Sequence, residues 1–343
     1  MRFGNLFLCL LASVMLLAVS CKKKTPSDGI NGNPTDSNYT APTDTNHFFE
    51  YSILPSATDV AINAYNSAHQ VMVDTNVSPK NKLFVFLPGT TGTPYYYRLV
   101  LKKAADMGYH AIGLMYPNGS DLYTAAASNP DLTAFGRGRK EIFQGTDELL
   151  GVSVNPTNSI KNRLYKLLVY LNDRHPNQHW AQYLQANNID WSKCVLSGHS
   201  QGGGHAFYIA KQVAVSRAIS FSSIDWNSLL NQSASWLIDA GATPISAFYS
   251  FNGIRDQVFS IANVNTQLTQ MGLQGPPVSI DITPSPYNNM HRLVTNANAA
   301  LPVNVPNIFP DHNITSLDEF VPKDNTGKVI PLFDKAWEYL LGN

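Results

Sequence analysis

The sequence predicts an α/β domain: a mainly parallel sheet covered by helices on both faces. Three observations predict it. Short apolar stretches such as KLFVFLP and AIGLMYP show no alternation, as strands buried on both faces require. Segments with helical periodicity separate such stretches, which is the order of a parallel sheet with crossover helices. The third is VLSGHSQGGGH at 195–205, where Ser200 stands between Gly198 and Gly202, after an apolar run and before a helix-compatible one. A serine on a very sharp strand-to-helix turn needs small residues two positions away on either side, because longer side chains would collide there.

The elements follow in order. FFEYSIL and HQVMVDT read as two strands with a turn-rich stretch and no helix between them, so they should be antiparallel. KLFVFLP is a buried strand, and YYYRLVLKKAADMGY a helix with Gly108 near its end. AIGLMYP is the next buried strand. In SIKNRLYKLLVYLNDRH, Ile160, Leu164, Leu167, Leu168 and Leu171 share one helical face, and Pro176 stops the helix. CVLS, the helix after Ser200, RAISFSS, PISAFYSFN and PVSIDI continue the pattern. PLFDKAWEYLL closes it as an amphipathic helix with Phe333, Trp337, Leu340 and Leu341 on one side. One stretch, 118–158, fits no regular element and reads as a long loop, either a roof over the cleft or a decorative insertion.

Composition narrows the function. The formal charge is zero, and Lys/Arg clusters only near the N-terminus, which excludes a nucleic-acid partner. The N-terminus carries Arg2, an apolar run and then Ala18-Val19-Ser20-Cys21. This resembles a bacterial lipoprotein signal, although Ala18 replaces the usual leucine three places before the cysteine. The resemblance implies a signal peptide at 1–20, lipidation at Cys21, and a place in the bacterial cell envelope facing the periplasm or the cell surface. The polar run to residue 46 lacks apolar periodicity, so 21–47 is expected to be a flexible tether to a domain at 48–343. Contact with the membrane is expected through the lipid anchor only. Of the three cysteines, Cys9 lies in the signal, and Cys194 alone remains in the mature domain, so no internal disulfide is possible there. No metal-ligand spacing and no dinucleotide fingerprint occurs, so no metal or cofactor is expected.

Ligands of open parallel sheets sit at the carboxyl ends of the strands, so polar residues directly after strands are the candidates. Ser200 follows CVLSGH, Asp256 follows AFYSFNGIR, and His291 follows PVSIDI by a short loop. Asp225, after RAISFSS, is a rival acid, and His312, in FPDHNIT, a rival base. Serine, aspartate and histidine in this order, with a serine elbow, resemble the α/β-hydrolase superfamily over residues 48–343. The resemblance implies an α/β-hydrolase fold with a catalytic triad of Ser200, Asp256 and His291. It also implies an oxyanion hole made by the backbone N–H of Gln201 and one from LPGTTGTP, where Thr90 is the first choice and Thr91 the second. His199, His205 and the Tyr95–Tyr97 run flank these residues and read as packing or pocket wall. The expected activity is hydrolysis of a carboxylic ester, in a small molecule or a polymer, through an acyl-enzyme. An amide or peptide substrate, acyl transfer, and a non-catalytic binding lipoprotein are the alternatives.

Overall fold

Nine strands form a single sheet in the computed structural model, which describes residues 47–273, 275–301 and 309–342. The expected signal peptide, Cys21 and the tether up to residue 46 lie outside the described residues. The strands are β1 (Phe48–Ile53), β2 (His69–Asp74), β3 (Leu83–Leu87), β4 (His110–Gly113), β5 (Cys194–His199), β6 (Arg217–Phe221), β7 (Phe248–Gly253), β8 (Val278–Ser279) and β9 (Arg292–Thr295). Their spatial order is β1-β2-β4-β3-β5-β6-β7-β9-β8. β2 runs antiparallel to both its neighbours, as a direct β1–β2 connection requires, and every other pairing is parallel.

The unbroken apolar runs are explained by cover on both sides of the sheet. In β3, Phe84 and Phe86 enter one core and Val85 and Leu87 the other. The first core holds α1 (Arg98–Asp106) and α8 (Pro331–Leu341), through Val100, Leu101, Phe333 and Trp337. The second holds α2 (Asp121–Ala126), α3 (Ala134–Gln144), α4 (Ile160–Arg174), α5 (Gln201–Gln212) and α6 (Ile261–Gln270). The single turn α7 (Pro310–Asn313), beside the end of β7, completes the helices used below. On α4 the expected stripe from Ile160 to Leu171 is buried. Ser159 caps that helix, its Oγ accepting the N–H of Asn162 at 3.2 Å. Each such leucine contributes about 1.5–3 kcal/mol through burial.

Two expectations are corrected here. The stretch 118–158 is not irregular, since it contains α2 and α3. Gly136 and Gly138 lower the intrinsic helicity of α3 by about 1 kcal/mol each, and packing of Phe135, Ile142 and Phe143 outweighs that. PVSIDI supplies only the two-residue edge strand β8, and the inner strand is the later β9.

Candidate active site

Ser200 occupies the turn between β5 and α5 with φ 53° and ψ −119°, a region that non-glycine residues avoid. The strain is held by packing on all sides. The Ser200 N–H donates to the main-chain O of Phe221, at the carboxyl end of β6, at 2.9 Å. A Cβ on Gly198 would lie 2.3 Å from the carbonyl carbon of Gly202, and one on Gly202 would lie 2.0 Å from the carbonyl oxygen of Leu87. Only glycine fits at either place, and this is the reason for the small residues around the serine.

The next polar group belongs to the loop after β7. The Asp256 side chain is almost wholly buried, and its Oδ1 accepts the N–H groups of Val258 and Phe259 at 2.8 and 2.9 Å. Its Oδ2 lies 2.8 Å from Nδ1 of His312. Burial on its own would lift the Asp256 pKa. The charge of His312 and the hydrogen bonds from His312, Phe259 and Val258 outweigh it and hold the carboxyl below its usual range. An ionised carboxylate only accepts, so His312 Nδ1 carries a proton, and in the neutral ring Nε2 is the acceptor.

This corrects the histidine assignment: the partner of Asp256 is His312, not His291. His291 directly precedes β9, so it stands at the amino end of the sheet. Its Nδ1 lies 3.1 Å from the carbonyl oxygen of Phe248, at the start of β7, and its ring stacks on Tyr249 at 4.1 Å between centroids. Asp256 leaves the other end of β7, about 16 Å away at ordinary strand rise. His312, on α7, is 5% exposed and packs against Phe259 and His199, with ring centroids 5.3 and 4.8 Å away. The chain order serine, aspartate, histidine survives the change.

The sheet order, the antiparallel β2, the serine turn after the central strand and the acid after β7 together decide the architecture. It is the α/β-hydrolase fold. No family model matches the chain, and no curated protein matches it. Among solved structures, one described as "Putative Dienelactone Hydrolase from Klebsiella pneumoniae subsp. pneumoniae" is similar at a TM-score of 0.40 and 13% identity, over 74% of this chain and 87% of that one.

The rival acid has another task. Asp225 receives Arg139 on both oxygens and the indole N–H of Trp236 on Oδ2 at 2.8 Å, and both members of the Asp225–Arg139 pair are buried. Arg139 also donates from Nη1 to the main-chain O of Gln201 at 3.0 Å, tying the pair to the first turn of α5.

The loop after β3 lies beside the serine turn, with Gln201 Nε2 3.3 Å from Thr90 Oγ1. Thr91, at φ 59°, spends its N–H on the main-chain O of Asn118 at 2.9 Å, while Gly89 and Gly92 spend theirs on Tyr97 Oη and the Gly89 carbonyl. Gln201 is the first residue of α5, where a main-chain N–H has no intrahelical acceptor. Asn118, which sequence reasoning passed over, rivets the loop: its Nδ2 donates to the carbonyl oxygens of Gly89 and Gly92 at 2.7 and 2.8 Å. A second clamp joins the loops of the acid and the base. Arg255 pairs with Asp311 at 3.0 Å, and Gln257 Oε1 accepts the N–H groups of Asp311 and His312, each at 3.1 Å.

One sequence signal pointed to His312. Had RLVT at 292–295 been read as the last inner strand, His291 would have fallen before it, and the base would have had to come later in the chain.

Proposed function

We propose that this domain is a serine hydrolase that cleaves a carboxylic ester through an acyl-enzyme. The observation that carries the reading is the 2.8 Å contact between buried Asp256 and His312, in the same site as a strained serine turn. In this reading Ser200 Oγ attacks the ester carbonyl while Nε2 of His312 takes its proton. The N–H groups of Gln201 and Thr90 hold the oxyanion, each such donor contributing about 2.7–4 kcal/mol of transition-state stabilisation. Collapse of the tetrahedral intermediate breaks the bond to the leaving alcohol, which receives the proton from His312. Water then attacks the acyl-enzyme, again losing its proton to His312, and the acid leaves with Ser200 restored. Asp256 keeps the ring in the required tautomer and stabilises the imidazolium.

Labelling with a fluorophosphonate probe and a panel of esters of graded chain length test this, with matched amides run alongside. Ser200→Ala should lose both labelling and ester turnover while its unfolding midpoint stays near wild type. Undiminished turnover by Ser200→Ala, in protein free of host esterases, would overturn the mechanism. Amide turnover above ester turnover would make it a peptidase or amidase.

We further propose attachment to the bacterial envelope through Cys21, motivated by the signal-like N-terminus and the polar run after it. The several acyl chains of a lipoprotein anchor far more firmly than one. Wild type should fractionate with membranes and carry lipid, and Cys21→Ala should do neither. Identical behaviour of the two proteins would refute the anchor.

A further inference from the structure

We infer that Tyr97 and His199 form a directed hydrogen-bond relay that fixes the main chain of His312 relative to the oxyanion loop, so that both are positioning residues. The inference rests on the reading of Ser200, Asp256 and His312 given above. His199 immediately precedes the nucleophile and is 3% exposed. Its Nε2 lies 3.0 Å from the main-chain O of His312, an atom that can only accept. Nε2 therefore carries the ring proton, and Nδ1 is left as an acceptor. Nδ1 is 3.1 Å from Tyr97 Oη, so the phenol donates to it. The same phenol oxygen accepts the N–H of Gly89 at 3.2 Å. All three bonds point one way, from Gly89, the neighbour of Thr90, to the peptide of His312. Bonds aligned head to tail in a buried place polarise and strengthen one another.

The surroundings fit this assignment. A Cβ on Gly89 would come within 2.9 Å of His199 Nδ1 and 3.3 Å of Ser200 Cβ, so the loop approaches as closely as it does only because residue 89 has no side chain. Burial, joined by the charge of His312, pushes the His199 pKa down to about 3, which keeps the ring neutral and its Nδ1 free to accept. The need for such a tie is local. α7 has four residues, too few to be stable by itself. The bond to Asp256 fixes one ring atom of His312 but leaves the ring free to pivot about that contact. The relay, together with Gln257, holds the backbone and removes this freedom.

The experiment uses the full chain and three variants. Tyr97→Phe and His199→Leu should lower kcat about ten- to a hundred-fold, as expected for displacement of a reacting group by up to an ångström, with KM within about twofold. Fluorophosphonate labelling should slow in step. His199→Gln, whose amide can donate to the His312 carbonyl, should recover part of kcat. In wild type, nitrogen NMR of the His199 ring should show the Nε2–H tautomer and no titration between about pH 5 and 8. Wild-type kcat in Tyr97→Phe, an Nδ1–H tautomer, or titration in that range would each overturn the relay. If His199→Leu does not fold, Tyr97→Phe and the tautomer still decide. A wild-type protein with no ester turnover or labelling refutes the hydrolase reading instead, and the tautomer then judges the relay alone.

Discussion

At the scale of single residues, the two histidines separate cleanly. His312→Ala removes the proposed base and should lower kcat/KM on the order of a million-fold, with Ser200→Ala, His312→Ala and the double variant nearly alike because the triad acts as a unit. His291→Ala deletes a ring stacked on Tyr249 and a bond to the Phe248 carbonyl, both at the amino end of the sheet. It should cost about 1–2 kcal/mol of stability and leave kcat within about twofold. Steady-state kinetics beside urea titrations distinguish the two, and loss of turnover confined to His291→Ala would restore the original assignment. Asp256→Asn should reduce kcat about ten-thousand-fold, since an amide no longer secures the Nδ1–H tautomer.

At the scale of elements, the Arg139–Asp225 pair joins α3 to the loop after β6 and to the start of α5. Both side chains are buried, so removing one leaves the other as an uncompensated charge. Asp225→Ala should destabilise the domain by about 3–5 kcal/mol, read as a lower urea midpoint. The double variant with Arg139→Met should regain much of that loss, and a double variant as unstable as the sum of the two single variants would rule the coupling out. The sequence concealed α3 because a helix built around Gly136 and Gly138 contradicts local propensity, and the compensating contacts come from distant parts of the chain. β9 was concealed for a similar reason. Its four residues carry Arg292 and Thr295 beside Leu293 and Val294, and only the pairing with β7 and β8 makes them a strand.

At the scale of the whole molecule, the domain buries several neutral histidines. Burial pushes His69 down to about 3 and His110 down to about 4, and lowers His205 well below its usual value. His199 behaves likewise. Each is neutral in the folded state while the unfolded chain takes up a proton near pH 6.5, so unfolding binds protons below that pH. Stability is therefore fully present above about pH 6.5 and falls as the pH drops toward the folded values, by about 1.4 kcal/mol per pH unit for each such histidine. Depression of the Asp256 pKa acts in the same direction, though only below the ordinary carboxylate range. Urea unfolding measured from pH 7 to 5 should show this decline, and a flat profile would contradict it. The sequence by itself determined the layered α/β architecture, the antiparallel start of the sheet and the serine turn. These are written locally, in runs of apolar residues and in glycines that no other residue can replace. Only the tertiary structure decided which histidine meets Asp256, which acid serves Arg139, and how Asn118, Tyr97 and His199 brace the site. Those choices depend on which end of the sheet a strand presents and on contacts between residues up to 113 positions apart, as between His199 and His312. Such contacts have no local signature, because a side chain's partner is fixed by the path of the whole chain rather than by its neighbours in sequence.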